Sequence, residues 1–113
     1  MHEMSICEGI IQVLQDQAVS QHYRRVNTVC IEVGALAMVE VDALRFCFEA
    51  VARDSLAQGA RLDIIELSGQ AWCQQCAKTV AITQRYDACA ECGYLPLQIT
   101  QGDELRIKEL EVE

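Results

Sequence analysis

The chain has 113 residues, 51% of them apolar, with 9 Lys and Arg against 17 Asp and Glu. That length fits one domain, or one domain with a small appendage, and the apolar share is enough for a core. The formal charge of −8 argues against nucleic acid, whose phosphates reward clustered Lys and Arg. No apolar run approaches the roughly 20 residues of a membrane span.

In chain order, residues 4–18 predict a helix. Met4, Cys7, Ile11, Leu14 and Ala18 recur at spacings of three and four, with Ile10 and Val13 beside them. Ser5 and Glu8 have the spacing of a capping box. Residues 26–33 alternate as a strand, with Val29, Ile31 and Val33 on one face and Thr28, Cys30 and Glu32 on the other. Gly34 ends it. Residues 42–56 predict a second helix, with Leu44, Cys47, Phe48 and Val51 on its apolar face and Gly59 as a stop signal. Leu62–Leu67 is a short second strand. Leu105–Val112 is a third, and its alternation slips near Glu109, as a bulge would make it.

The expected fold is therefore α+β, a three-stranded sheet with two helices. It is formed by residues 1–67 and 101–113 and interrupted by a small zinc-ribbon-like insert at 68–100. The insert has few bulky apolar residues, and segments below ~40 residues rarely build a sufficient core without metal or disulfides.

The start, Met1-His2-Glu3, lacks the basic and apolar regions of a secretory signal, so the cytoplasm is the expected compartment. Disulfides rarely persist there, and an odd total of seven cysteines argues against a complete disulfide set. Four of the seven lie in the insert as Cys73-Gln-Gln-Cys76 and Cys89-Ala-Glu-Cys92. Each CxxC is a tight turn that aims two sulfurs at one point, and two such turns give the tetrahedral S4 set that zinc favours. Two disulfides, free core thiols, or iron in the same cage are the alternatives. Zinc is preferred on compartment and spacing, and because nothing else suggests electron transfer. Four thiolates close the coordination shell, so the site is structural. Cys7, Cys30 and Cys47 read as small core hydrophobes.

His2 stands beside the chain start. The Met1 amine, the His2 and Glu3 backbone nitrogens and the imidazole form a nitrogen set suited to Ni(II) or Cu(II). On spacing alone, an exposed terminal histidine remains the favoured reading. Glu40 and Asp42 are candidate supports for the imidazole if that end of the second helix packs nearby. His22, just past the first helix, reads as a cation complementing the helix dipole.

Several segments together resemble the HypA/HybF family. They are Met1-His-Glu-Met-Ser-Ile6, Glu32-Val-Gly-Ala-Leu36, Phe46-Cys-Phe-Glu49, the paired CxxC insert, and Thr100-Gln-Gly-Asp-Glu-Leu105. The resemblance covers essentially the whole chain, in order. It implies a nickel metallochaperone for NiFe-hydrogenase maturation, with His2 and the adjacent Glu3 at the nickel site, beside the Met1 amine that the donor chemistry offers, and Cys73, Cys76, Cys89 and Cys92 holding zinc. The partners it implies are a HypB-type GTPase and the hydrogenase large-subunit precursor; the acidic charge and the lack of a membrane-length apolar run lead one to expect neither nucleic acid nor membrane as a partner. No phosphate-binding glycine loop or catalytic triad is visible, so no enzyme is expected. The alternative is a zinc-ribbon interaction module without a nickel role.

Overall fold

The computed structural model describes residues 2–113. The first element is helix α1 (Glu3–Gln21), followed by strand β1 (Val26–Gly34), a 3-10 turn (Ala35–Ala37) and helix α2 (Val41–Ala52). Strands β2 (Arg61–Leu67), β3 (Gln70–Cys73), β4 (Lys78–Ala81), β5 (Gln98–Gln101) and β6 (Leu105–Val112) complete the chain. They form two three-stranded sheets, in the orders β2-β1-β6 and β4-β3-β5. The α+β class, the two helices and the three-stranded sheet β2-β1-β6 are as the sequence leads one to expect, while β3, β4 and β5 give the zinc-ribbon-like insert a sheet of its own. Among the described residues, no helix is long and apolar enough to cross a membrane.

Two compact units share the chain. The first comprises residues 1–31, 39–64 and 107–113, and the second residues 32–38 and 65–106. In the first unit α1 packs against α2. Cys7, Ile10, Ile11 and Leu14 form the buried stripe of α1, while Met4, expected on that face, is 43% exposed. Leu14, Val26, Val29, Ile31 and Leu44 are essentially sealed from water. Each such side chain contributes about 1.5–3 kcal/mol by burial. Polar ties fix the packing: Tyr23 Oη donates to the Leu14 carbonyl at 2.7 Å, and Arg45 to the Leu62 carbonyl at 2.6 Å.

The helix ends depart from the sequence reading. α1 starts at Glu3 with His2 as its N-cap and no side-chain cap, so Ser5 lies inside the helix and forms no capping box. At the other end it runs to Gln21, where His22 turns the chain left-handed (φ 60°). α2 stops at Ala52 instead of residue 56, because Ser55 takes the Ala52 carbonyl with both its N–H (3.0 Å) and its hydroxyl (2.6 Å). Gly59 then serves the turn into β2, at φ 75°.

β1 is the central strand, and it is buried on both faces. Thr28 and Cys30, on the face expected to be the more polar, are only 8% and 7% exposed. β6 runs antiparallel to it: Arg25 and Glu113 exchange backbone hydrogen bonds, and Gly34 N–H donates to the Glu104 carbonyl at 2.8 Å. Gly34 is required by close approach, since a Cβ there would overlap the Gly102 carbonyl. Side-chain burial along β6 slips at its middle. Ile107 and Leu110, three residues apart, are the two half-buried positions.

In the second unit, β3 pairs antiparallel with β4 and with β5. Its cores are small. One gathers Leu36, Ala71 and Ile82, and the other gathers Cys73, Val80 and Cys89, with Leu97 packed against both.

Candidate metal centres

The β3–β4 hairpin carries the first CxxC. Cys73 ends β3, and Cys76 lies in the turn before Lys78 opens β4. Ala77 N–H closes that turn on the Cys73 carbonyl at 2.8 Å, with Ala77 left-handed at φ 54°. The second CxxC repeats this geometry without flanking strands. Gly93 N–H donates to the Cys89 carbonyl at 2.8 Å, with Gly93 at φ 75°. Within each turn, amide N–H groups also point at the first sulfur, as Cys76 N–H does to Cys73 Sγ at 3.4 Å.

The two turns face each other, and the four Sγ atoms lie within 4.8 Å of one another. Cys73 and Cys92 sulfurs are 3.6 Å apart, and those of Cys76 and Cys89 are 3.9 Å apart. A disulfide needs about 2.05 Å, so these cysteines are unbridged. A tetrahedral ion with about 2.3 Å bonds to sulfur sets its ligands ~3.8 Å apart. The donor set therefore fits a four-thiolate metal cage. Cys73 and Cys89 are buried, Cys76 is half-buried and Cys92 is exposed.

The thiols are electrostatically unequal. Amide N–H groups of Cys92 and Glu91 favour the anion at Cys89 and bring its pKa down to about 7. Hydrogen bonding with Cys92, followed by burial, pushes Cys76 up to about 12. A cluster that readily keeps one negative charge but resists a second is what four crowded thiols become without a cation. Lys78 Nζ, paired with Glu91 at 2.7 Å, ties β4 to the second turn and sets a positive charge beside the sulfurs. Spacing alone gave no sign of this pair.

The other three cysteines are free. Cys7 is fully buried and donates to the Leu44 carbonyl at 3.4 Å. Burial, then the neighbouring Cys47, raises its pKa to about 11, as suits an inert packing thiol.

At the N-terminus, Met1 lies outside the described residues. His2 is exposed, and its carbonyl accepts the Ile6 N–H at 3.1 Å, which holds its backbone to the start of α1. The Glu3 carboxylate accepts the Glu40 N–H at 3.2 Å, and this bond lowers its pKa. The segment leading into α2 is thus tied to the residue next to His2. Glu40 and Asp42 are both exposed, and no hydrogen bond joins either to His2 among the described residues.

The hydrogenase/urease nickel incorporation, metallochaperone, hypA family matches residues 1–112. The chain is 66% identical to the hydrogenase maturation factor HypA of Azotobacter chroococcum mcd 1 over 113 residues, all of both chains. It is 64% identical to that of Azotobacter vinelandii, again over the full length of both. Its fold is similar to the solution structure of the Ni metallochaperone HypA from Helicobacter pylori, with a TM-score of 0.73 and 25% identity. That match covers 99% of this chain and 97% of the other. This chain belongs to the HypA family of hydrogenase/urease nickel-incorporation metallochaperones, which are maturation factors and not enzymes.

Proposed function

We propose that this chain binds Ni(II) at its N-terminus and delivers it for maturation of NiFe-hydrogenase, while Zn(II) on Cys73, Cys76, Cys89 and Cys92 holds its insert in shape. The observation that carries the reading is the contrast between two donor sets on one chain. The four sulfurs lie within 4.8 Å of one another, and Cys73 and Cys89 are buried; four thiolates on one ion would fill its shell and leave no position for exchange. His2 is exposed at the head of α1, as a site that must give up its ion needs to be. The Met1 amine, the His2 and Glu3 backbone nitrogens and the imidazole make up the nickel-binding set, and nickel is the cargo.

Residues 1–67 and 101–113 serve in this reading as the nickel-binding domain, and residues 68–100 as the zinc domain. The hydrogenase maturation role of the relatives supports docking to a HypB-type GTPase and to the hydrogenase large-subunit precursor in the cytoplasm. Any nucleotide hydrolysis belongs to the GTPase.

Calorimetric nickel titration of three zinc-loaded proteins tests the proposal: wild type, His2→Ala, and a protein extended by Gly-Ser before Met1. All three retain one zinc. Only the wild type binds nickel specifically, because the second lacks the imidazole and the third has its free amine displaced. Unchanged binding in His2→Ala sinks the nickel site and leaves a zinc-ribbon interaction module.

A further inference from the structure

We propose that Cys7 and Cys47 are a reversible oxidation site, two thiols that close into a disulfide between α1 and α2. Two ties set these helices in register. The Glu40 N–H meets the Glu3 carboxylate at 3.2 Å, and four residues further along both segments the Cys7 thiol donates to the Leu44 carbonyl at 3.4 Å. Four residues of helix rise about 6 Å, so equal steps on both sides mean that α1 and α2 run side by side in the same direction.

Cys47 follows Leu44 by three residues and shares its side of α2. A helical Cβ leans toward the helix N-terminus, and its side chain covers the turn before its own Cα. The Cys47 thiol therefore leans back over the Leu44 carbonyl that Cys7 touches. Burial, and after it the charge of Cys47, raises the Cys7 pKa to about 11, which agrees with two sulfurs in close reach. Both cysteines are unbridged. The remaining core cysteine has no such neighbour: Cys30 lines a groove with Thr28, Asp63 and Leu110, and no second cysteine is there.

The two thiols differ in access. Cys7 is sealed from water, and Cys47 is half-buried. A reagent in solution thus meets Cys47 first, and Cys7 can react only with what Cys47 carries. The oxidant is a small disulfide such as glutathione disulfide. The Cys47 thiolate attacks one of its sulfurs, a mixed disulfide forms, and one glutathione thiolate leaves. Cys7 then loses its proton and attacks the Cys47 sulfur, which releases the second glutathione. Two protein thiols are oxidised, one glutathione disulfide is reduced to two thiols, and the two protein protons end on them. The new bond fastens α1 to α2 one helical turn behind Glu3, so oxidation stiffens the head of α1.

The zinc-loaded full chain, incubated with glutathione disulfide, alkylated in denaturant and cut with trypsin, tests the bond. The three core cysteines fall on separate tryptic peptides, 1–24, 26–45 and 46–53. Peptides 1–24 and 46–53 should emerge joined by a link that a reductant breaks, with 26–45 alkylated and the zinc content unchanged. Closing the loop should raise the urea midpoint by about 1 M or more, and the reductant should reverse the gain. Cys7→Ala should leave glutathione held on Cys47. Cys47→Ser, at a half-buried site that tolerates the change, should leave Cys7 a free thiol. A glutathione adduct that persists on Cys47 of the wild type overturns the proposal. So does a link that appears only in urea or only as zinc is lost, or one that joins peptide 26–45 instead.

Discussion

The two CxxC turns differ at one informative position. The residue after each second cysteine is left-handed, yet it is Ala77 in one turn and Gly93 in the other. A left-handed conformation costs an L-residue about 1–2 kcal/mol, while glycine gives back about 0.5–1 kcal/mol through its freer unfolded chain. A Cβ added at Gly93 would meet nothing within 4 Å, so the balance there is purely conformational. Gly93→Ala should therefore destabilise the folded turn by about 1 kcal/mol, and Ala77→Gly should stabilise it by a similar or smaller amount. Metal binding at such a site is coupled to folding. About 1 kcal/mol corresponds to roughly fivefold in affinity. Competition for zinc against a chromophoric chelator at fixed pH should find Gly93→Ala about fivefold weaker and Ala77→Gly tighter by up to about fivefold. The double variant should lie near wild type. Equal affinities for Gly93→Ala and wild type, or a loss beyond about 100-fold, would refute a backbone origin.

In the metal-free insert, Cys89 has its pKa brought down to about 7 from an ordinary 9 by the Cys92 and Glu91 amides. Its stabilisation is thus full above pH 9 and lost as pH falls through 7, and zinc affinity should drop steeply below pH 7 as protons reclaim the thiolates; a chelator titration from pH 8 to pH 5 that stayed flat would contradict this. Gly34→Ala should cost about 3 kcal/mol, because its Cβ meets backbone atoms of Gly102 that cannot rotate aside. An unchanged urea midpoint would show that the two segments part without cost.

Local pattern announced much of this architecture. The spacing of Cys7, Ile11 and Leu14 marked the α1 core stripe, and the alternation around Val29 and Ile31 marked β1, since helix and strand periods are written directly in side-chain order. Matching CxxC turns were legible for the same reason. Features made by residues far apart in sequence were not. The early end of α2 depends on Ser55 outcompeting the helix for the Ala52 carbonyl, a local rivalry that apolar periodicity does not register. Burial of Thr28 and Cys30 follows from the central place of β1 between two strands, which no single segment reveals. The Lys78–Glu91 link joins two turns brought together only when the insert folds. The bond from the Glu40 amide to the Glu3 carboxylate likewise joins residues far apart in sequence, which only the fold brings together.

Where the insert leaves β2 and returns to β6, the two crossing points touch. Gln101 Nε2 donates to the Ser68 carbonyl at 3.0 Å, and a Cβ on Gly102 would press on the Cα of Gly69. A segment with joined ends is, to the strands it interrupts, close to a closed ring, and beyond its ends it supplies the Ala71 and Ile82 surface against which Leu36 packs. If the insert melted into a flexible loop of roughly thirty residues, ring closure would cost those strands about 3 kcal/mol. That is a fraction of the 5–15 kcal/mol that holds an ordinary domain together. The same junction should accept excision, with a short glycine bridge between residues 69 and 102, once Leu36, which loses Ala71 and Ile82 as its cover, is replaced by a polar residue.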